Sequence, residues 1–168
     1  MKKDNWIYKV FLMTFFLSLA FSFVSNVISS NANLCVMILI TILVIAIGII
    51  FDMIGTASLT SNEATFHAKS SKKIKGAKES LKIIKNSVKV ASICNDVIGD
   101  ICGIISGGMG AMVALSLSNV IGNKVLASIL VSSIISSLTV GGKAICKTIA
   151  IKKCDDIVFI VGKIKSIF

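Results

Sequence analysis

The sequence contains no arginine, and all 18 of its basic side chains are lysines. Arginine is the side chain that most often recognises phosphates and base edges through paired hydrogen bonds. Aromatic side chains are also few around the lysines. Although the net charge is +10, we therefore expect no nucleic-acid partner.

The side chains that usually carry catalysis are also scarce. There is one histidine, His67, and the five cysteines form no C-x-x-C pair. No nucleophile–base arrangement, metal–thiolate cluster or phosphate-binding loop is present. The sequence therefore does not predict an enzyme, and the cysteines are expected to be small, reduced apolar side chains.

Charge is missing altogether from Val10 to Phe51. Only 15% of the chain is charged and 55% is hydrophobic, whereas about 25% of residues are charged in typical soluble domains. A soluble domain of 168 residues could not bury so much apolar surface. These features predict an integral membrane protein.

Four apolar runs predict an all-α polytopic fold with about four transmembrane helices. They cover residues 10–28, 34–59, 90–116 and 125–142, and about 20 apolar residues cross a bilayer as a helix. The first run also fits a secretory signal, because Ser30–Ala32 resembles a small-x-small cleavage site. We favour an uncleaved helix, so that residues 1–32 form a transmembrane helix or signal anchor and residues 33–168 form the membrane domain.

The lysines predict the orientation of these helices. All but Lys124 lie in residues 1–9, 63–89 and 143–168, and lysine-rich loops remain in the cytoplasm. We therefore expect a multi-pass protein of the cell (plasma) membrane. Residues 63–89 are predicted to form an amphipathic cytoplasmic helix, and residues 143–168 an interfacial tail that ends in the cytoplasm.

This topology brings three acids to a similar depth in the inner half of the bilayer, namely Asp52, Asp96 and Asp100, with Lys143 beside them. An ionised side chain at the centre of a membrane helix costs about 2.5–3.5 kcal/mol. The acids should therefore be paired, near the interface, or facing water or a cation. Carboxylate and hydroxyl oxygens suit Mg²⁺. The predicted metal site comprises Asp52, Thr56, Ser58, Asn95, Asp96 and Asp100.

Two other interpretations of the same stretch remain open. Asp96 and Asp100 are also explained if they only begin a helix near water, where negative charge is favourable. Small residues at four-residue spacing continue along that helix, at Gly99, Gly103, Gly107 and Ala111. Such a ladder lets another helix approach closely in a membrane, and it predicts helix packing against a partner or a second copy of the chain.

The order of motifs resembles the membrane domain of the CorB/CorC and cyclin-M (CNNM) magnesium and cobalt transporters over roughly residues 40–165. Residues 54–59 (I-G-T-A-S-L) are similar to that family's G-S-E-T-A-L motif, and residues 75–85 to its basic helical stretch. Asn95 and Asp96 take the place of its G-N-N motif. Gly142, Lys143 and Lys147 match the spacing of its G-E-x-x-P-K motif. The chain departs from the family in having Lys143 at the glutamate, Cys146 at the proline and no CBS domains.

The resemblance implies a divalent cation (Mg²⁺ or Co²⁺) transporter-like protein, with Mg²⁺ as a bound or transported ion and no certain cofactor. The expected partners are the lipid bilayer, a divalent cation and a second copy of the chain. The alternative is a non-transporting interaction or regulatory protein that assembles through its glycine and serine seams. A small pore-former is a third interpretation, which four distinct spans disfavour.

Overall fold

The computed structural model describes residues 4–31 and 33–167. Every element within those residues is helical, so the predicted all-α class is confirmed. The elements are α1 (Asp4–Asn31), α2 (Leu34–Thr60), α3 (Glu63–Ser71), α4 (Ala77–Lys85), α5 (Ser87–Ala91), a π-helical segment (Ser92–Gly99), α6 (Asp100–Ile121), α7 (Lys124–Lys152) and α8 (Cys154–Lys165).

Three stretches of helix are long and apolar enough to cross a membrane by length and composition. They are Leu34–Thr60, Ser87–Ile121 and Lys124–Lys152. The second joins α5, the π-helical segment and α6 without a break. In α1 the described apolar part, Tyr8–Ala20, is shorter than the other three.

The chain divides into two compact units. Unit 1 consists of Met1–Gly48 and Asp100–Gly142, and unit 2 of Ile49–Gly99 and Lys143–Phe168. Each unit combines an early and a late part of the chain.

Unit 1 has a small apolar core where α2, α6 and α7 meet. Its buried side chains are Met37, Val113, Ala114 and Val131. Gly110 lets α6 approach α7, because a Cβ at this position would collide with the side chain of Ile135. Asn123 caps α7, and its Oδ1 accepts from the backbone N–H groups of Val125 (3.1 Å) and Leu126 (3.2 Å).

Unit 2 has a larger core, formed by α2, α3, α4, α7 and α8. Its buried members are Ala57, Phe66, Ile83, Ile84, Ala150 and Val158. The Lys69 ammonium lies 5.2 Å from the ring centroid of Phe66 and 4.9 Å from that of Phe159. These cation–π contacts hold α3 beside α8.

Two helices of unit 2 approach closely where the start of α4 meets α8. A Cβ at Gly162 would collide with Ser80 Oγ and lie 2.8 Å from the Ser80 backbone N and 2.9 Å from Gly76 O. The Ser80 hydroxyl has two acceptors here, Gly76 O at 3.0 Å and Val158 O at 3.2 Å. Glycine and serine therefore bring two backbones together where larger side chains would separate them.

The lysine-rich segment 63–89 is not one helix. It breaks at residues 72–76, where Lys73 (φ 52°) and Gly76 (φ 93°) adopt left-handed backbone conformations that end a right-handed helix. Two members of the predicted apolar stripe, Ile74 and Val88, are consequently exposed.

The tail also differs from the prediction in its first residues. The segment expected to leave the span at Lys143 instead continues α7 through Gly142 to Lys152, and only α8 is a separate helix. Glycine costs a helix about 1 kcal/mol relative to alanine, which α7 tolerates at Gly141 and Gly142.

Candidate cation site

Asp52 is the buried acid of the candidate site. It lies in the last third of α2 and only 4% of the residue is exposed. Its Oδ2 is buried and has no hydrogen-bond partner among the described residues. A buried acceptor without a donor costs about 1–3 kcal/mol, and more when it is charged. The position is therefore costly unless a cation is close.

The cation nearest to this carboxylate is Lys147 of α7. Its Nζ lies 3.9 Å from Asp52 Oδ2, within range of an ion pair but beyond hydrogen-bonding distance. The Lys147 side chain is 51% exposed, against 6% for Asp52. Because half of the Lys147 side chain is exposed, the ammonium has room to move away from the carboxylate, and the pair is loose.

Asn95 supplies a second oxygen with no partner. It lies in the π-helical segment, and its Oδ1 is buried without a hydrogen bond among the described residues. The amide packs on Gly55 of α2, where a Cβ would collide with Asn95 Oδ1 and lie 3.1 Å from Cys94 Cβ. Residues three apart on a helix are neighbours, so Asp52 and the Asn95 contact at Gly55 share one face of α2.

The π-helix gives this part of the chain an unusual backbone. Its i→i+5 hydrogen bonds make a wider turn than an α-helix, and such segments often occur at functional sites. Here the widened turn spans Ser92–Gly99 and carries both Asn95 and Asp96. The four-residue spacing of Asp96 and Asp100 predicts an ordinary α-helix and gives no sign of this wider turn.

The two predicted hydroxyl ligands, Ser58 and Thr56, both lie in α2. The Ser58 hydroxyl is buried and donates to Gly55 O at 2.7 Å. Thr56 is half-buried, and its carbonyl accepts from Thr60 Oγ1 at 3.0 Å. Since the Ser58 proton is already committed, this oxygen could offer only lone pairs to a ligand.

The other two acids are placed differently from Asp52. Asp96 in the π-helical segment and Asp100 at the start of α6 are both exposed. Asp100 belongs to unit 1, whereas Asp52, Asn95 and Asp96 belong to unit 2. Asp100 also occupies the first turn of α6, where a negative charge is favourable.

The residues that resemble the G-E-x-x-P-K motif place two lysines on one face of α7, because Lys143 and Lys147 are four residues apart. Lys143 is half-buried, and its Nζ lies 3.7 Å from where a Cβ on Gly99 would be. Gly142 precedes it and is also half-buried. Lys147, which only the family resemblance singled out, is the one that reaches Asp52.

Two buried oxygen acceptors and a loosely held ammonium define the chemistry of this region. Asp52 Oδ2 and Asn95 Oδ1 cannot bond to each other, because neither carries a proton when the carboxyl is ionised. Together they leave about 2–6 kcal/mol of unsatisfied polar interactions. Within residues 4–31 and 33–167, no group of three or more His, Cys, Asp and Glu side chains could hold a metal ion.

The glycine ladder has mixed surroundings. A Cβ on Gly99 would touch Cys94 O at 3.4 Å, whereas Gly103 and Gly107 have nothing within 4 Å. Gly107 and Ala111 are exposed, and they border a cleft of about 140 Å³ with Ser128, Ser132 and Ser136. In the described chain, the glycine of α6 that contacts another helix is Gly110.

The sequence alone did not reveal two contacts of unit 2. The Asn95–Gly55 contact joins residues of two separate motifs. In the sequence, only the order of those motifs indicated that the two residues could be neighbours. The approach of Gly162 to Ser80 had no signal, since a glycine in a short tail helix has many explanations.

No protein-family model, curated protein or solved structure matches the chain. The likeness to the magnesium transporter domain therefore remains an expectation from its short motifs.

Proposed function

We propose that the chain is a transporter-like membrane protein that binds a divalent cation, with Mg²⁺ as the preferred ion, through Asp52 and Asn95. The observation that carries the proposal is the pair of buried oxygens, Asp52 Oδ2 and Asn95 Oδ1, which have no hydrogen-bond partner among the described residues. A cation would satisfy both oxygens at once, whereas the exposed carboxylates of Asp96 and Asp100 do not need one.

The donor set fits Mg²⁺. This ion usually binds one or two carboxylates and keeps several of its waters. Asp52 supplies the charged ligand and Asn95 a neutral oxygen, while Thr56 lies about one turn and Ser58 nearly two turns further along α2. The ion is the cargo of the protein, and the chain contributes one negative charge and a polar pocket.

Lys147 acts as the counter-ion that a metal displaces. At 3.9 Å its ammonium compensates the Asp52 charge without a hydrogen bond, and its exposed stem lets it move aside. Two positive charges cannot share the carboxylate without repulsion, so cation entry and Lys147 departure are coupled. Lys143 adds repulsion from the same face of α7 and weakens the affinity for a divalent ion.

The membrane arrangement completes the proposal. With α1 counted as a span, four helices cross the plasma membrane, and segment 63–89 and the C-terminus lie in the cytoplasm by the distribution of lysines. Asp52, near the inner end of α2, is then reached from the cytoplasmic side.

Thermal unfolding in detergent tests cation binding. At an Mg²⁺ concentration 100 times Kd, binding adds about 2.7 kcal/mol, which corresponds to about 5–11 °C in Tm for a chain of this size. We expect Asp52→Asn to abolish this shift. Asp156→Asn, which removes an exposed acid of α8 from the same unit, is the matched control and should keep it.

The other acids discriminate between the buried pair and the larger predicted cluster. Asp96→Asn and Asp100→Asn should retain most of the Mg²⁺ shift if Asp52 and Asn95 form the site. An unchanged shift in Asp52→Asn would refute the proposed site. Metal content of cells expressing wild type or Asp52→Asn then tests whether binding leads to transport.

A second function is favoured by the small-residue face of α6, where a Cβ on Gly103 or Gly107 would meet no atom of the described residues within 4 Å. In this function the chain does not transport, and the small-residue face receives a helix from a second copy. Small residues permit such close packing in a bilayer. Dispersal of the assembly by Gly107→Leu, with unchanged metal content in cells, is the expected result.

A further inference from the structure

The break between α3 and α4 forms an open pocket with a strongly basic lining. The pocket measures about 530 Å³ and is lined by Lys73, Lys75, Lys78, Glu79 and Lys165, among others. We call it the lysine pocket. Its volume falls within the range of roughly 300–1,000 Å³ for small-molecule sites, and it is separate from the Asp52 region.

The positive charge of the lysine pocket is poorly compensated. Four lysines face one acid, and that acid is already engaged, because Lys82 Nζ lies 2.6 Å from Glu79 Oε1. The Lys82 hydrogen bond holds the pKa of Glu79 below its usual value; burial opposes this shift, and the charges of Lys82 and Lys165 add to it. Glu79 is therefore ionised at neutral pH and still leaves an excess of positive charge.

The pocket has a fixed backbone frame, unlike a run of lysines on a solvated helix. Gly76 has φ 93°, and a Cβ there would lie 2.8 Å from Lys163 Cα. The contact holds the α3–α4 turn against α8, so lysines from two distant parts of the chain surround one space. The α4 helix starts at this turn without a side-chain cap, and a helix start adds partial positive charge.

We propose that the lysine pocket binds a phosphate monoester, the doubly charged group that ends the head group of phosphatidic acid and also occurs in free phosphate compounds. Clustered ammonium groups attract this dianion, and basic pockets beside membrane helices bind anionic head groups. The lipid source is favoured because the turn joins two segments that are long and apolar enough to span a membrane, Leu34–Thr60 and Ser87–Ile121.

Titration calorimetry of the full chain in detergent, at about 0.15 M salt, tests the proposal. The probes are dioctanoyl phosphatidic acid, glycerol 3-phosphate as the same group without acyl chains, and dioctanoyl phosphatidylcholine as the neutral lipid. Each lysine near an anionic head group contributes about fivefold in affinity. The variant Lys75→Gln/Lys78→Gln/Lys165→Gln should therefore bind phosphatidic acid about 100-fold more weakly.

The matched control removes the same charge elsewhere in unit 2, as Lys85→Gln/Lys152→Gln/Lys153→Gln. Charges more than about 8 Å away are screened at this salt, so its affinity should stay within about threefold of wild type. Binding of glycerol 3-phosphate as tight as that of phosphatidic acid would identify free phosphate compounds as the source. Binding of phosphatidic acid alone would identify the lipid.

Two results would overturn the proposal. One is equal weakening in both triple variants, which would show a general charge effect. The other is wild-type binding of phosphatidic acid no tighter than that of phosphatidylcholine. Helix content by circular dichroism checks the fold of each variant. If the pocket triple variant fails to fold, Lys165→Glu in the last turn of α8 replaces it, with an expected loss of at least fivefold.

Discussion

Replacing a glycine by alanine should lower the stability of the protein in α8 and raise it in α7. Alanine stabilises a helix interior by about 0.5–1 kcal/mol relative to glycine. At Gly162, however, the new methyl would collide with Ser80 Oγ and lie 2.8 Å from the Ser80 backbone N. Forcing a methyl into a packed contact costs typically about 1–3 kcal/mol, and a backbone atom cannot rotate away.

With about 2 kcal/mol for the collision and about 0.75 kcal/mol gained in helix propensity, the net cost of Gly162→Ala is about 1.3 kcal/mol, which lowers Tm by about 3–5 °C for a chain of this size. Gly141→Ala is the matched control, because a Cβ there meets nothing within 4 Å. It should raise Tm by about 1–4 °C through helix propensity alone. The measurement is thermal unfolding in detergent, in which circular dichroism at 222 nm monitors the loss of helix.

A second variant identifies the cause of the loss. Ser80→Ala removes the hydroxyl but leaves the backbone N of Ser80 and the carbonyl of Gly76 in place. Combining it with Gly162→Ala should therefore not restore stability. If Gly162→Ala raised Tm as much as Gly141→Ala, the close approach of α4 to α8 would be refuted.

Two further predictions concern helix packing and capping in unit 1. Gly107→Leu should disperse a homodimer on native gels. Gly108→Leu, on the neighbouring face of α6 that is also open in the structure, should leave the homodimer intact. Dispersal by both variants, or by neither, would contradict dimer packing through the glycine ladder. Asn123→Ala removes two hydrogen bonds at the start of α7 and should cost about 1 kcal/mol, or about 2–4 °C in Tm. Asn123→Asp keeps the acceptor and should melt near wild type; an unchanged Tm in Asn123→Ala would contradict the cap.

The helical class was predictable because composition limits it strongly. The absence of charge from Val10 to Phe51 and the length of each apolar run leave few folds other than membrane helices. Three of the runs correspond to helices of sufficient length and composition. The first run corresponds to α1, and its role as a fourth span stays a prediction.

The breaks within helices were less predictable. The apolar stripe of segment 63–89 continued across Gly76, so periodicity favoured one helix, yet left-handed backbone at Lys73 and Gly76 interrupts it. The π-helix at Ser92–Gly99 has no composition that distinguishes it from an α-helix. Gly76 contacts α8, and the π-helical segment packs on α2 at Gly55. A local sequence pattern does not contain such contacts.

The sequence indicated which types of residue form the candidate site better than it indicated where their side chains lie. Asp52 was singled out as an acid ending a long apolar run, and it is the buried member of the three acids. The exposure of Asp96 and Asp100 depends on how the helices rotate, which spacing along one helix does not fix. Lys147 pairs with Asp52 because α7 extends beyond Gly142, a continuation that two adjacent glycines argued against.

The contact between Ser80 and Val158 joins residues 78 positions apart in the chain. During synthesis the lysines of residues 73–78 emerge long before the α8 backbone that frames them. The lysine pocket therefore cannot form until residues 162–166 have left the ribosome, however early its charges appear. A chain interrupted before α8 would keep most of the positive charge and lack the cavity, so the pocket depends on α8 having been made.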